Sequence, residues 1–191
     1  MEKGTNPGFL YQQNTMRDAM LAGVTLNIFN NHSDRVHMAN LAQTVNVLQA
    51  VILTDKEKMI LTPTYHVMEM YKVHQDARRM KVDYAGKHYL FNSEKLPAVS
   101  VSASVDSSDV MHISIVNIDA HNEQAVKIKV NGQKITAVKG RILKSGQLQD
   151  HNTFNEPEKI KPSAFDGAAV NDGVIEFNIP PFSVIVLQTS R

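Results

Sequence analysis

The apolar run from Asp34 to Thr54, DRVHMANLAQTVNVLQAVILT, constrains the fold most strongly. Its hydrophobic residues leave no clean polar face along the segment. Such runs are typical of strands that are buried on both faces, as in a parallel sheet covered by helices. Gln43 and Asn46 interrupt the run, and a buried amide needs hydrogen-bond partners. Each is therefore predicted to be either a hydrogen-bonded core amide or a group that faces a cleft.

Helical patterns flank this run on both sides. Upstream, apolar residues at i, i+3, i+4 and i+7 spacing predict a helix from about residue 10 to 29. Downstream, Thr62 and Pro63 supply an N-cap and a first-turn proline for a helix that should run to about Gln75. The order helix, strand, helix is part of a βα repeat. It cannot form a closed sheet alone, because a single strand has no partners for its backbone groups.

Short strands with period-two alternation replace the helical patterns after Asp76. The predicted strands lie at about 99–105, 111–115, 126–130, 135–143, 174–179 and 183–188. Asn131-Gly132 predicts a type I′ hairpin turn, and a long polar loop is expected over 150–172. Closely spaced turn signals of this kind are typical of an antiparallel sandwich. The sequence therefore predicts a mixed α and β chain that is mainly an antiparallel β-sandwich.

Three stretches of the sequence form a recognisable pattern: GTNPGFLYQQNTMRDAMLAG, DRVHMANLAQTVNVLQAVILT and LTPTYHVMEMYKVHQDA. Together they resemble the glycoside hydrolase family 51 α-L-arabinofuranosidases. The resemblance is dense from about Gly4 to Ala77 and continues more loosely to the C-terminus. It implies that residues 1–75 are the tail of an incomplete (β/α)8 barrel, contributing its final helix-strand-helix elements. Residues 76–191 would then be the C-terminal β-sandwich domain of that family.

The resemblance also implies a function for the parent enzyme. Family 51 enzymes hydrolyse terminal non-reducing α-L-arabinofuranosyl residues of arabinan, arabinoxylan and arabino-oligosaccharides with retention, and they need no cofactor or metal. The substrate partner would be an arabinose-containing oligo- or polysaccharide, and the intact enzyme would be a homo-oligomer. Gln43 matches the family glutamine that contacts arabinose from the end of the eighth barrel strand. Gln43 is therefore the candidate substrate-binding residue.

No catalytic residue is expected within this chain. Retaining hydrolysis needs two carboxylates about 5 Å apart, and the resemblance places both catalytic glutamates upstream of the GTNPGFLYQQNT stretch. Asp18 and Glu69 fall on predicted helices, and Asp34 begins the predicted strand. The tripeptide Asn-Glu-Pro around Glu156 matches the acid/base motif of related barrel glycosidases. It lies, however, in a predicted sandwich loop, whereas barrel enzymes act at the C-terminal ends of barrel strands. The chain alone is expected to be inactive.

Composition excludes several other classes of function. Twenty basic and 19 acidic residues leave no charge excess for nucleic acid or an anionic membrane. The absence of cysteine excludes disulfides, zinc-thiolate sites and thiol nucleophiles. No apolar stretch reaches the roughly 18 residues of a membrane span. The segment MEKGTNPG lacks the apolar region of a signal peptide, and both a cytoplasmic and a periplasmic location stay open.

Histidines are numerous, but their spacing does not predict a metal site. Of the eight, His32, His37, His66 and His74 are the candidate ligands, but their spacings match no compact ligand motif. No metal or cofactor is expected.

Two other functions remain open. The chain would be a non-catalytic carbohydrate-binding or structural β-sandwich module if its exposed aromatic residues bound sugar. Tyr84, Tyr89 and Phe91, which flank a Gly-Lys-His turn, are the candidate contacts. Alternatively, the apolar run around Gln43 would serve a structural protein as an oligomerisation surface, because unburied apolar surface drives association.

Overall fold

A computed structural model of the chain describes residues 14–42 and 44–190. The described part contains two α-helices and thirteen strands. The elements are α1 (Met16–Asn31), β1 (Ile52–Asp55), β2 (Lys58–Leu61), α2 (Pro63–Met70) followed by a 3₁₀ turn (Tyr71–His74), β3 (Arg78–Met80), β4 (His88–Phe91), β5 (Glu94–Pro97), β6 (Val99–Val105), β7 (Met111–Asn117), β8 (Gln124–Lys129), β9 (Ala137–Lys144), β10 (Ser163–Phe165), β11 (Ala169–Asn171), β12 (Val174–Ile179) and β13 (Ser183–Ser190).

Two antiparallel sheets form the predicted sandwich. A six-stranded sheet in the order β10-β9-β13-β7-β6-β3 faces a three-stranded sheet in the order β11-β12-β8. Between the sheets lies an apolar core in which Ile115, Ile175, Ile185 and Leu187 are almost completely buried. This core follows from the period-two alternation, which sends apolar residues to one face of each strand. The prediction of a mixed, mainly antiparallel β chain is confirmed.

The predicted hairpin turn at Asn131-Gly132 is wrong. The strand before it, β8, pairs with β12, whereas the next strand, β9, lies in the other sheet. A two-residue turn joins neighbouring strands of one sheet, so it cannot make this crossing. Asp172 (φ 50°) and Gly173 (φ 78°) instead form the two-residue turn between β11 and β12, with positive φ at both positions. The predicted loop over 150–172 thus also contains two short strands, β10 and β11.

Both predicted helices form, and they cover the outer face of the six-stranded sheet. The Thr15 amide and hydroxyl each donate to the Asp18 carboxylate over 2.8 Å at the start of α1. At α2, the Thr62 hydroxyl caps the helix and accepts a hydrogen bond from the Tyr65 amide. Neither helix within 14–42 and 44–190 is long and apolar enough to cross a membrane.

A second apolar cluster joins the helices to the sandwich. Its fully buried side chains include Met16 and Val67 from the helices and Val116, Leu143 and Val184 from the six-stranded sheet. These residues come from both sides of the predicted boundary between 1–75 and 76–191. The boundary itself stays a prediction.

The predicted buried strand over Asp34–Thr54 is wrong for this chain. Its end alone is a strand, β1, which pairs with β2 in a short antiparallel hairpin. Before it, residues 36–42 and 44–51 form no helix or strand, and Met38 is 75% exposed. A parallel strand needs a neighbouring strand for its backbone groups, and among the described residues the segment has only an isolated bridge between Val45 and Ile52. The hairpin satisfies the backbone of the last few residues locally.

Candidate substrate-binding segment

Gln43, the predicted substrate-binding residue, lies outside the described residues. Its neighbours Ala42 and Thr44 are exposed. They belong to residues 36–50, called the apolar segment below. Its large exposed side chains are Met38, Leu41, Val45, Val47 and Leu48. The role of Gln43 stays a prediction.

The C-terminal end of the apolar segment is anchored at Ala50, which is fully buried. The Ala50 carbonyl accepts hydrogen bonds from Asn14 Nδ2 at 2.6 Å and from the Thr62 hydroxyl at 3.1 Å. Next to it, Gln49 Nε2 donates to Asp18 Oδ1 over 3.4 Å. Residues 49–50 are therefore held between the N-terminal ends of α1 and α2.

Asn46, the second amide in the run, organises a local turn. Its Oδ1 accepts from the Thr54 amide, and its Nδ2 donates to the Thr54 hydroxyl, both over 2.7 Å. Its φ of 55° lies in the left-handed region that asparagine tolerates better than most residues. Asn46 is exposed, so it is not the buried core amide of the first interpretation. Its side-chain amide is nevertheless hydrogen-bonded, through both of its polar atoms, to Thr54.

Three of the acidic residues, Asp18, Glu69 and Glu156, hold structural positions. Asp18 is buried and accepts the hydrogen bonds at the start of α1. Glu69 forms an ion pair with Arg141, with 2.9 Å between Oε2 and Nη2, and so links α2 to β9. Glu156 lies in an exposed loop, where its amide donates to the Thr153 hydroxyl over 3.0 Å. Each position has a structural explanation that requires no catalytic role.

His74 joins the 3₁₀ turn after α2 to the sheet. Its Nδ1 lies 2.7 Å from the Ser104 hydroxyl, and its Nε2 lies 2.5 Å from that of Ser114. Burial, together with the smaller effect of the neighbouring His112, lowers the pKa of His74 to about 4. In the two described ranges, no group of three His, Cys, Asp or Glu side chains could hold a metal ion.

A polar network continues from His74 along α1. Asn27 Oδ1 accepts hydrogen bonds from the Tyr71 hydroxyl at 3.1 Å and the Ser102 hydroxyl at 2.8 Å. Asn30 Nδ2 donates to Ser102 as well, over 3.2 Å. Burial raises the pKa of Tyr71. This network was not predicted, although Ser100, Ser102 and Ser104 alternate along β6 and so place hydroxyl groups on one face of the strand.

The candidate sugar-binding aromatic residues lie on and beside the β4–β5 hairpin. Phe91 is 65% exposed, and Leu90 and Leu96 on the same hairpin are also exposed. Tyr84 is 40% exposed and donates to the Lys87 carbonyl over 3.1 Å, whereas Tyr89 is half-buried. The hairpin therefore presents an accessible apolar surface.

Comparison with known proteins assigns the chain to a family. The family model for the α-L-arabinofuranosidase C-terminal domain matches residues 1–183. The intracellular exo-α-L-arabinofuranosidase of Bacteroides ovatus is 42% identical over 188 residues, which are 98% of this chain and 37% of that protein. This chain belongs to the α-L-arabinofuranosidase C-terminal domain family.

Solved structures agree with this assignment. The family 51 arabinofuranosidase of Xanthomonas axonopodis pv. citri superposes with a TM-score of 0.92 at 41% identity, over 98% of this chain and 38% of that one. An arabinose complex of the Thermotoga maritima α-L-arabinofuranosidase gives a TM-score of 0.81 at 24% identity, which shows the shared fold. It covers 96% of this chain and 40% of that one. The chain thus spans well under half the length of these relatives.

Proposed function

We propose that this chain is the C-terminal part of a longer α-L-arabinofuranosidase, called the parent enzyme below. The parent enzyme hydrolyses terminal non-reducing α-L-arabinofuranosyl residues of arabinan, arabinoxylan or arabino-oligosaccharides with retention. Its two catalytic carboxylates lie outside these 191 residues, so the chain alone is inactive. Support comes from the family membership and from the 37% of the Bacteroides ovatus protein that the chain spans.

Residues 1–75 supply the last elements of a (β/α)8 barrel in this proposal, and residues 76–191 are the C-terminal sandwich. The single observation that carries it is the exposure of the apolar segment. Met38, Val45 and Leu48 are 75%, 44% and 42% exposed. Neighbouring barrel strands would bury these side chains and would supply partners for the backbone between the two helices. In a completed barrel, Gln43 would lie at the end of the last strand, where such enzymes bind substrate.

The experiment that tests the proposal is hydrolysis of an arabino-oligosaccharide by the parent enzyme, followed by proton NMR. The expected first product is free arabinose whose anomeric configuration matches that of the substrate linkage. Products of internal cleavage would contradict the exo-acting function, and an inverted anomer would contradict the retaining mechanism. Light scattering of the same sample tests whether the intact enzyme is a homo-oligomer.

A non-catalytic sugar-binding module is the second candidate, favoured by the exposed β4–β5 hairpin. Phe91 and Tyr84 offer aromatic surface to a ligand. Calorimetric titration of the whole chain with arabino-oligosaccharide tests this function. Phe91→Ser should abolish binding by such a module, and the exposed Leu21→Ser on α1 is the matched control.

A further inference from the structure

Asn14 is a buried amide (4% exposed) that immediately precedes Thr15, the N-cap of α1. Its Nδ2 donates over 2.6 Å to the carbonyl of Ala50, 36 residues further along the chain. The Thr62 hydroxyl also donates to this carbonyl, at 3.1 Å. That hydroxyl has one proton, which it shares with the Val51 carbonyl at 3.2 Å. Asn14 therefore makes the stronger of the two side-chain contacts that fix Ala50.

Backbone hydrogen bonds carry the position of Ala50 to the neighbour of Gln43. Two residues after Ala50, the Ile52 amide donates to the Thr44 carbonyl over 3.1 Å. The Ile52 carbonyl accepts from the Asn46 amide over 3.2 Å, so the chain closes a short loop on itself. Thr44 directly follows Gln43 in the sequence. A displacement of Ala50 is therefore transmitted through this loop to the residue that adjoins Gln43.

The backbone that carries Asn14 is itself fixed by the sandwich. The amides of Met16 and Arg17 donate to the carbonyls of Asp150 and Leu148, over 2.8 and 3.0 Å. Both carbonyls belong to the loop that follows β9. The amides of a first helical turn have no partners within the helix, so these bonds satisfy them and dock the start of α1 on the sandwich. Asn14 thus projects from a rigid support.

Rigid support of this kind is what a binding residue requires. Groups that contact a substrate must be held within about 0.5 Å of their productive position by supporting hydrogen bonds. A misplacement of about 1 Å can reduce the rate on the order of 100-fold. The Asn14 amide is suited to the supporting role because it donates to a buried carbonyl without carrying a charge.

We propose that Asn14 is a positioning residue for the reaction of the parent enzyme. Its hydrogen bond to the Ala50 carbonyl fixes the loop that follows Gln43, and Gln43 contacts the sugar. Asn14 does not touch the substrate itself. The inference rests on the proposed function, because only that function places Gln43 at the substrate.

Amide hydrogen exchange of the chain tests the structural step without any measurement of activity. Asn14→Leu keeps the size of the side chain but removes the donor, and Asn14→Ala removes both. In either variant the Ile52 amide should exchange about tenfold faster, as expected when one hydrogen bond that opposes local opening is lost. Amides of β13, which is paired on both sides, should be unchanged. Unchanged exchange of Ile52 in both variants would overturn the proposal.

A double-mutant cycle with Gln43 in the parent enzyme tests the functional step. Asn14→Ala alone should lower kcat/KM on an arabinofuranoside about tenfold, through misplacement of Gln43. In the Gln43→Ala background the same substitution should change kcat/KM by less than about twofold, because no side chain is left to position. Equal factors in the two backgrounds would overturn the proposal. Absence of turnover by the unsubstituted parent enzyme would instead refute the proposed function.

Asn117 provides the matched control for a general loss of stability. It is fully buried, and its Nδ2 donates to the carbonyls of Ile179 and Pro180, both over 3.1 Å, within the sandwich. Asn117→Ala should destabilise the parent enzyme at least as much as Asn14→Ala does. At a temperature where both variants are folded, it should leave kcat/KM unchanged. Equal losses of kcat/KM in the two variants would assign the effect of Asn14 to stability and overturn the proposal.

Discussion

Nδ1 of His74 lies 2.7 Å from the Ser104 hydroxyl, which ties the end of the helical layer to β6. The imidazole is half-buried, and this burial holds its pKa near 4, below the 6.5 of a free histidine. The unfolded chain therefore binds more protons than the folded chain between these two pH values. The stabilising contribution of neutral His74 is complete above pH 6.5 and is lost as the pH falls towards 4.

We predict that the free energy of unfolding falls by about 2 kcal/mol between pH 7 and pH 4.5 because of His74 alone. His74→Gln should remove this part of the pH dependence while keeping a hydrogen-bonding side chain. Urea unfolding at several pH values measures the difference. His121→Gln, at an exposed position, is the control and should behave as the unsubstituted chain does. Parallel pH profiles for all three proteins would contradict the prediction.

Leu143 tests whether the helices and the sandwich unfold together. It is fully buried in the cluster that α1 and α2 share with the sheet. Leu143→Ala should lower the free energy of unfolding by about 2–5 kcal/mol, in a single transition that includes the helical circular dichroism signal. Leu21→Ala, where the side chain is 65% exposed, should change stability by less than about 0.5 kcal/mol. Separate helical and sheet transitions would contradict a shared core.

The apolar segment should cause the isolated chain to associate. Replacing Met38 and Leu48 by serine should reduce association in light scattering, with little change in the free energy of unfolding, because both side chains are exposed. Met59→Ser is the control, since Met59 is 61% exposed but lies on β2, outside the segment. In the parent enzyme the same double substitution should be destabilising. Equal stability there would show that the segment is not buried by a barrel.

Gln43→Ala in the parent enzyme should lower kcat/KM on an arabinofuranoside by about 10- to 100-fold. This corresponds to roughly 1.4–2.7 kcal/mol of lost transition-state binding. The free energy of unfolding should change little. Gln49→Ala is the matched control, because Gln49 is an amide in the same segment that hydrogen-bonds Asp18 rather than substrate. Unchanged kcat/KM for Gln43→Ala would remove Gln43 from the substrate site.

Local patterns predicted much of the fold. Strand β12 forms over the predicted range 174–179, and α2 begins at Pro63 after its Thr62 cap. These elements follow from alternation and capping, which are properties of neighbouring residues. Pairing between strands was harder to predict. The Asn131-Gly132 dipeptide is typical of type I′ hairpin turns. Long-range packing nevertheless places β8 and β9 in different sheets.

The apolar segment shows why part of the candidate site was not predictable. Its composition indicates a buried strand, but burial depends on neighbours that are not among the described residues. The polar network was missed for a different reason. Asn27, Tyr71 and Ser102 are far apart in sequence and meet only because α1 crosses β6. The resemblance around Gln43 led to the correct family, whereas the position of Gln43 in a binding site stays a prediction.

Hydrolysis of 4-nitrophenyl α-L-arabinofuranoside by the 191-residue chain and by the parent enzyme tests the central claim most directly. We predict no turnover by the chain and clear turnover by the parent enzyme, because the proposed function places the two carboxylates in the rest of the polypeptide. Turnover by the chain alone would contradict this account. Loss of that turnover in Glu156→Gln would then identify the exposed loop as the catalytic site.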